Sequence, residues 1–310
     1  MGNIITSAYD GDPITVDSLL KDPTWIAERT IQNLDGAFLE DLLFRNAGPN
    51  DSGVAAYREA ASPFLADDAE VVAEHGEIPV SGLNLGKVRT VIGEKVARGI
   101  RVSYEQRKEN RIDMVAKQQT ALQNTMIRSG VRAALKAFEE APTLTAAATA
   151  AWSGGGGDPV KDVLDAVEEI ATAQPDDANQ DDYFGYVPDT LVLHPAALTA
   201  LLRNEQVQKF YIGDVAGENP IYRGVQPKTV FGLTVATSRF MDPTKAVVLE
   251  AGTAGFRSDT IPLQMTPMYQ EGGESGLGGP TMTWRSDAVR KRILAVDEPK
   301  AVLTITGVTA

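Results

Sequence analysis

The longest uninterrupted pattern of apolar positions in this chain is helical. Between Ser103 and Ala141 the sequence runs 39 residues with no proline and one glycine, Gly130. Ile112, Val115, Leu122 and Met126 recur at the 3–4 spacing with Gln119 in the same row, and Ile127, Val131, Leu135 and Phe138 continue it one position over. Ser103 followed by Gln106 has capping-box spacing, and Ala141-Pro142 stops the run. A helix over the whole stretch would be about 58 Å long, against a globular mean of about 11 to 12 residues. Gly130 is the expected position of a kink. Only Ile112 to Met126 keeps a clean heptad, and its core carries Gln119, so one amphipathic helix is favoured over a coiled coil.

Upstream the pattern is extended. Val54 to Glu59, Ala69 to Glu74, Glu77 to Val80 and Lys87 to Val96 are short and β-leaning, broken by Ser62-Pro63, Gly76, Pro79, Ser81-Gly82, Asn84 and Gly86. They predict a long two-stranded excursion. Such a ribbon is marginally stable alone in water, so something outside the subunit is expected to hold it. Residues 1–53 read as an arm with turns at Asp10-Gly-Asp-Pro13 and Lys21-Asp-Pro23 and short helices over Thr24 to Thr30 and Leu34 to Arg45. Phe38, Leu39, Leu42 and Leu43 share one side of the second helix, and Gly48 to Gly53 ends it. An arm with so little periodicity is expected to order on a partner.

After Thr143 to Trp152, Ser153-Gly-Gly-Gly-Gly157 reads as a flexible connector. Asp158-Pro159 opens a helix to about Ala173, with Val160, Val163, Leu164, Val167 and Ile170 inward, and Gln174-Pro175 ends it. The acidic stretch Asp176 to Asp182 reads as a surface loop. Leu191 to His194 is a buried strand running into a helix over Pro195 to Arg203. Strands follow over Phe231 to Thr237, Ala246 to Glu250 and Gly255 to Asp259, then a long loop from Glu271 to Pro280, then strands over Met282 to Val296 and Ala301 to Val308. Strands and helices mix without a regular βαβ repeat, which makes the fold class α+β.

The charge is unevenly placed. Net charge over the 310 residues is −13, which argues against a protein that wraps nucleic acid. From Lys87 to Lys136 there are 12 Lys or Arg and 4 Asp or Glu, a segment of +8 in a chain whose remainder carries −21. Arg107, Lys108, Arg111, Lys117, Arg128 and Arg132 lie off the apolar seam and form either a solvated face or a basic rib that meets acidic surfaces of neighbouring copies. With no cysteine the chain has no disulfide, thiolate metal site or cysteine nucleophile. No window approaches the roughly 20 apolar residues of a membrane span. The start, Met1-Gly-Asn-Ile-Ile-Thr-Ser7, lacks the regions of a signal peptide, so the chain reads as soluble and made in the cytoplasm.

Candidate chemistry is sparse. His75 sits between Glu74 and Glu77, and His194 ends a strand before Pro195; neither has a ligand partner at metal-site spacing. The glycines of Ser153 to Gly157 lack the Lys-Ser or Lys-Thr of a phosphate loop, and Lys161 already lies in the helix. Gly273-Glu-Ser-Gly-Leu277 misses the nucleophile-elbow pattern at its last residue, and Gly276 to Pro280 fails the dinucleotide fingerprint. No catalytic residue, metal site or cofactor is expected.

The order of parts carries a resemblance. A free arm, a long two-stranded loop containing Glu74-His-Gly-Glu-Ile-Pro79, a long helix behind it starting at Val102-Ser-Tyr-Glu105, and a mixed C-terminal half are similar to the major capsid protein of tailed bacteriophages, the Hong Kong 97-like fold. Thr190 to Pro195 followed by a helix resembles the step that opens the axial domain of that family. Thr283 to Val296, then Pro299 to Gly307, resemble its C-terminal strands.

The resemblance implies an arm over 1–53, an extended loop over 54–100 lying on a neighbouring subunit and a spine helix of the peripheral domain over 101–144. It also implies an axial domain over 145–280 and C-terminal strands over 281–310 returning through the peripheral domain to the axial one. It implies a structural protein of the virion that forms hexamers and pentamers of itself, encloses double-stranded DNA, assembles in the host cytoplasm and expands during maturation. Portal, scaffold and cementing proteins are the implied partners. Glu74, Glu77, Lys87, Arg89, Arg107 and Arg111 are the candidate inter-subunit contacts. The family's founding member joins a loop lysine to an asparagine near the C-terminal strands, but no asparagine follows Asn219 here, so Lys87 and Lys95 lack that acceptor and a shell without isopeptide bonds is expected. No long helical scaffold segment precedes the arm, so either a trimmed chain or a separate scaffold protein is expected. An encapsulin-like cellular shell, a tail-tube protein and an oligomeric hydrolase using Asp or Glu are the other readings.

Overall fold

The computed structural model describes residues 15–16, 25–34, 38–154, 156–176, 182–210, 229–273 and 276–309. The turns at Asp10 to Pro13 and Lys21 to Pro23, and most of the acidic loop between Asp176 and Asp182, lie outside the described residues. The first elements whose bounds are described are two short helices, α1 over Trp25–Leu34 and α2 over Leu39–Leu43. The second is shorter than the apolar pattern implied, because the chain turns extended at Phe44 and forms strand β1 over Arg45–Pro49. Strand β2, Val54–Arg58, pairs antiparallel with β3, Val88–Ile92, from Val54↔Ile92 to Arg58↔Val88. The chain then passes into β4, Glu94–Ser103.

The proline-free stretch is two helices. Ser103 caps the first as its spacing predicts: its hydroxyl accepts from the Gln106 N–H and the Gln106 side chain accepts from the Ser103 N–H. That helix, α3, ends after one turn, Tyr104–Lys108. Asn110 takes a left-handed backbone, φ 51°. The Arg111 N–H then reaches back to the Gln106 carbonyl and the Asn110 N–H to that of Arg107, a Schellman stop with asparagine in the place glycine usually fills. The long helix α4 starts afresh and runs Ile112–Glu140, about 44 Å at 1.5 Å per residue. It passes through Gly130 without a break; the glycine is there because a Cβ would stand 2.9 Å from Cδ1 of Phe38.

Strand β5, Leu144–Ala147, follows, then α5, Pro159–Ala171, with the Asp158 side chain accepting from the Lys161 N–H. The inward face of α5 is as predicted at Val163 and Ile170, but Leu164 is exposed. The glycine connector before α5 is pinned: Asn204 donates to the carbonyls of Trp152 (3.0 Å) and Gly157 (2.9 Å). Trp152 itself donates to buried Asp162. Next come β6 Thr190–Leu193, α6 Pro195–Arg203, α7 Glu205–Phe210, β7 Thr229–Val230, β8 Leu233–Thr237 and β9 Lys245–Leu249. The chain closes with β10 Phe256–Met265, β11 Tyr269–Gln270, β12 Thr283–Ala295, a 3-10 turn at Pro299–Ala301 and β13 Val302–Thr306.

Two sheets organise these elements. In the five-stranded sheet β12 is central, with β10 and β11 on one side and β4 on the other, and β1 adds in parallel outside β10. The six-stranded sheet has the order β5-β13-β9-β6-β8-β7. Alternate residues of β12 are buried, the period-2 signature of a sheet covered on one face. The cover is α4, whose Val115, Leu122 and Met126 pack with Ile26 and Leu34 of α1 and with Ile100 and Val102 of β4. Gln119, anomalous in that apolar row, donates to the buried Thr30 hydroxyl at 2.9 Å. One helix serves two cores. Further along α4, Ala134 and Phe138 join Leu43, Val247, Leu249 and Val302 in a cluster shared with the six-stranded sheet, with Phe138 stacked on Phe44 at 5.1 Å. The remaining face of that sheet buries the third cluster, around Trp152, Ile170, Leu193 and Leu201.

Candidate assembly interface

The extended loop between β2 and β3 is firm at its root and bare at its tip. At the root Arg58 donates to the Gly86 carbonyl and the Glu59 N–H to that of Lys87, while the Ala60 N–H donates to Asp297. A Cβ at Gly86 would stand 1.7 Å from the Glu59 carbonyl oxygen, so only glycine permits the two strands to close there. Beyond the root the ladder stops. Among the described residues the only bridge there is Leu65↔Leu83, reinforced by the Asp67 and Ser81 side chains at 2.9 Å. The segments Ala69 to Glu74 and Glu77 to Val80, expected as strands, have no ladder partner.

Most of the exposed large apolar side chains among the described residues lie between Val54 and Ile92, and Val71, Ile78 and Val80 are nearly or fully open to water. Each such side chain forgoes about 1.5–3 kcal/mol that burial would supply. A patch of this kind marks an interaction surface.

Behind the loop, buried charge ties the N-terminal segment to the body. Glu40 of α2 is fully buried and accepts from Arg290 and, at 3.2 Å, from Arg292, both on β12. Arg290 also makes a two-pronged contact with Asp259 of β10 at 2.9 and 3.2 Å and lies over the Phe38 ring. Arg292 donates to the Ser129 carbonyl of α4 at 2.8 Å. Burial pushes the Glu40 carboxyl above its ordinary range, against the pull of Arg292 and Arg290. Burial likewise lowers Arg292, while its ion pairs with Asp259 and Glu40 hold Arg290 raised.

Among the described residues no group of His, Asp and Glu is placed to hold a metal ion, and no helix is long and apolar enough to cross a membrane. His194 caps α6, its Nδ1 accepting from the Ala196 N–H at 3.0 Å.

A family model described as phage capsid protein matches residues 87–305. The chain belongs to that family.

No curated protein matches the sequence of this capsid protein. Among solved structures, the crystal structure of a virus-like particle from Pyrococcus furiosus superposes with a TM-score of 0.57 at 11% identity, over 90% of this chain and 97% of that one. The capsid structure of cyanophage P-SCSP1u superposes with a TM-score of 0.56 at 10% identity, over 99% and 94%. A protein of Mycobacterium phage Ogopogo does so with 0.54 at 16%, over 85% and 90%. The capsid protein therefore has the Hong Kong 97-like fold that the order of its parts resembled. It is a structural, non-enzymatic component of the virion that assembles with copies of itself into a shell, and the cellular-compartment reading is not favoured.

The candidate contact residues of the capsid protein do not gather in one place. Glu74 and Glu77 stand exposed on the loop tip, with His75 3.9 Å from Glu74. Lys87 is exposed at the root, and Arg89 beside it pairs with Glu59. Arg107 lies over the Trp284 ring at 5.1 Å, and Arg111 pairs with Glu109 at 2.5 Å. Arg89, Arg107 and Arg111 thus have partners within their own chain. Sequence reasoning passed over Arg98 of β4, which is exposed and makes no ion pair among the described residues, as is also true of Arg128 on α4. Arg98 shares the face of β4 that carries the buried Ile100 and Val102, so strand alternation would have placed it inward and gave no signal of its exposure.

Proposed function

We propose that copies of this capsid protein associate as hexamers and pentamers in a closed icosahedral shell around double-stranded DNA, each extended loop lying on a neighbouring copy. The bare apolar tip of the loop, carried on a well-tied root, is the observation that supports this most strongly. In this reading 1–53 is the arm, 54–100 the loop, 101–144 the spine region of a peripheral domain, 145–280 the axial domain and 281–310 the returning strands. Assembly takes place in the host cytoplasm with a portal and a scaffold protein, and a cementing protein adds to a shell that expands on packaging. Glu74, Glu77 and Lys87 are inter-subunit contacts, and Arg89, Arg107 and Arg111 become so by exchanging their internal partners.

The shell is held without isopeptide bonds. Negative-stain microscopy of the protein expressed alone tests the assembly: closed particles hundreds of ångströms across support it, and monomers or small rings alone contradict it.

A further inference from the structure

Six charged side chains run in alternating sign from α2 to α4. Asp41 meets Arg257 at 3.2 Å, Arg257 meets Asp259 at 3.4 Å, Asp259 takes Arg290, Arg290 reaches Glu40, and Glu40 takes Arg292 at 3.2 Å. Arg292 then closes on the backbone of α4 through the Ser129 carbonyl. The Glu40 carboxylate also lies against α4, since a Cβ on Gly130 would stand 3.5 Å from its Oε2. Strands β10 and β12 supply three arginines and one aspartate. The other two carboxylates, Glu40 and Asp41, both belong to α2.

The six charges cancel but are incompletely hydrogen-bonded. Among the described residues Glu40 Oε2, Arg257 Nε and Arg292 Nε are buried with no hydrogen-bond partner. A buried network left partly satisfied is less stable than apolar packing of the same volume, so stability does not account for it. What it supplies is a discrete choice. Glu40 and Asp41 enter and leave together, on a helix of five residues that is too short to hold its own shape. With α2 withdrawn, the face between β12 and α4 keeps three arginines against Asp259 alone, and those charges must take up water. Closed and dry or open and wet are then the two arrangements, the kind of bistable contact that turns a small displacement into a switch.

We propose that α2 is a releasable latch: Glu40 and Asp41, when seated, lock α4 to strands β10 and β12, and their withdrawal frees α4 and the segment before β1 in one cooperative step. Phe38, which packs on Gly130, leaves with them. In an expanding shell the latch couples a shift of the arm to a shift of α4. That use rests on the shell reading above; the latch itself is a property of the single chain and is tested there.

The test is hydrogen exchange, read by mass spectrometry on the unassembled full chain. In wild type, residues 38–45 and 126–133 are expected to exchange through one shared opening, faster than α5 and α6, which pack in the separate cluster around Trp152. Glu40→Gln with Asp41→Asn keeps the shape and removes both carboxylates. Exchange in the two segments is then expected to rise together at least about tenfold, with α5 and α6 unmoved. Glu40→Leu with Arg290→Met and Arg292→Leu replaces the centre of the cluster by apolar side chains and is expected to slow both segments at least about fivefold. Circular dichroism checks that each variant is folded; should the apolar triple misfold, the amide pair decides alone. Residues 38–45 loosening while 126–133 do not overturns the latch. So does α5 and α6 loosening by the same factor, which would make the cluster a general structural tie, and so does a folded apolar variant that exchanges as fast as wild type. Wild-type protein that forms no shells overturns the shell reading and leaves these outcomes to judge the latch.

Discussion

Phe38 packs its ring edge against the backbone of Gly130, where any Cβ would stand 2.9 Å from Cδ1. The contact joins the segment before α2 to the middle of α4. Gly130→Ala therefore gains helix propensity of up to about 1 kcal/mol and loses about 1–3 kcal/mol to overpacking. The expected result is a lower unfolding midpoint of the unassembled protein in denaturant; an unchanged or higher midpoint contradicts the packing account.

Arg290 and Glu40 give a larger effect. Arg290→Ala leaves Glu40 buried with one cation fewer, at a cost of about 3–5 kcal/mol near neutral pH. The cost shrinks in acid, where Glu40 accepts a proton. The sign follows from the raised carboxyl: Glu40's contribution is complete below its ordinary value of 4.5 and is lost as pH rises through the higher folded value. Glu40→Gln does not titrate, so its stability relative to wild type should improve as pH rises from 4.5 upward. Urea midpoints across that range decide it, and a gap that stays flat or closes the other way contradicts the assignment.

Asn110 is held left-handed by the Schellman stop and also accepts from the Val16 N–H at 2.8 Å. Asn110→Gly keeps the backbone and loses the side-chain contact, whereas Asn110→Ala loses both and adds about 1–2 kcal/mol of left-handed strain. Thermal melts should rank wild type, then glycine, then alanine. Alanine melting at or above glycine would mean that the two helices can fuse.

These sites show what was legible in the sequence. The helices over 159–171 and 195–203 and most strands of the C-terminal half announce themselves through local period and turn chemistry, and the structure places them within a few residues; β10, expected to end at Asp259, runs on to Met265, and the short strands β7 and β11 were not expected. Strands β1 and β5 did not, because Arg45-Asn-Ala-Gly-Pro49 and Leu144-Thr-Ala-Ala147 are short edge strands whose parallel partners lie far along the chain. Asn110 was a readable stop, but a proline-free apolar row outweighed it. Gly130 was misread as a kink because its reason is Phe38, distant in sequence. Likewise the β-leaning composition of 69–80 marks an extended tip, yet no strand crosses from it to form a ladder. The bare tip was visible in sequence; the occupation of Arg107 by Trp284 depends on tertiary contact and was not.

Asn204 provides a check on the pinned connector. Asn204→Ala strands the carbonyls of Trp152 and Gly157 and should cost about 1–3 kcal/mol. Limited proteolysis should then cut between Ser153 and Gly157 faster than in wild type. Equal rates would restore the flexible-linker reading.

Covalent cross-linking is tested by boiling purified particles in detergent. The absence of an asparagine after Asn219 predicts one band near 33.2 kDa. A ladder of multimers would show that another acceptor serves Lys87 or Lys95.

The claim on which the account turns is that the loop of one copy is held by another. A cryo-electron microscopy map of the assembled shell tests it most directly. The account predicts ordered density for residues 66–82 resting on a neighbouring copy, with Val71, Ile78 and Val80 covered there. A tip folded back on its own subunit, or standing free in solvent, would contradict it.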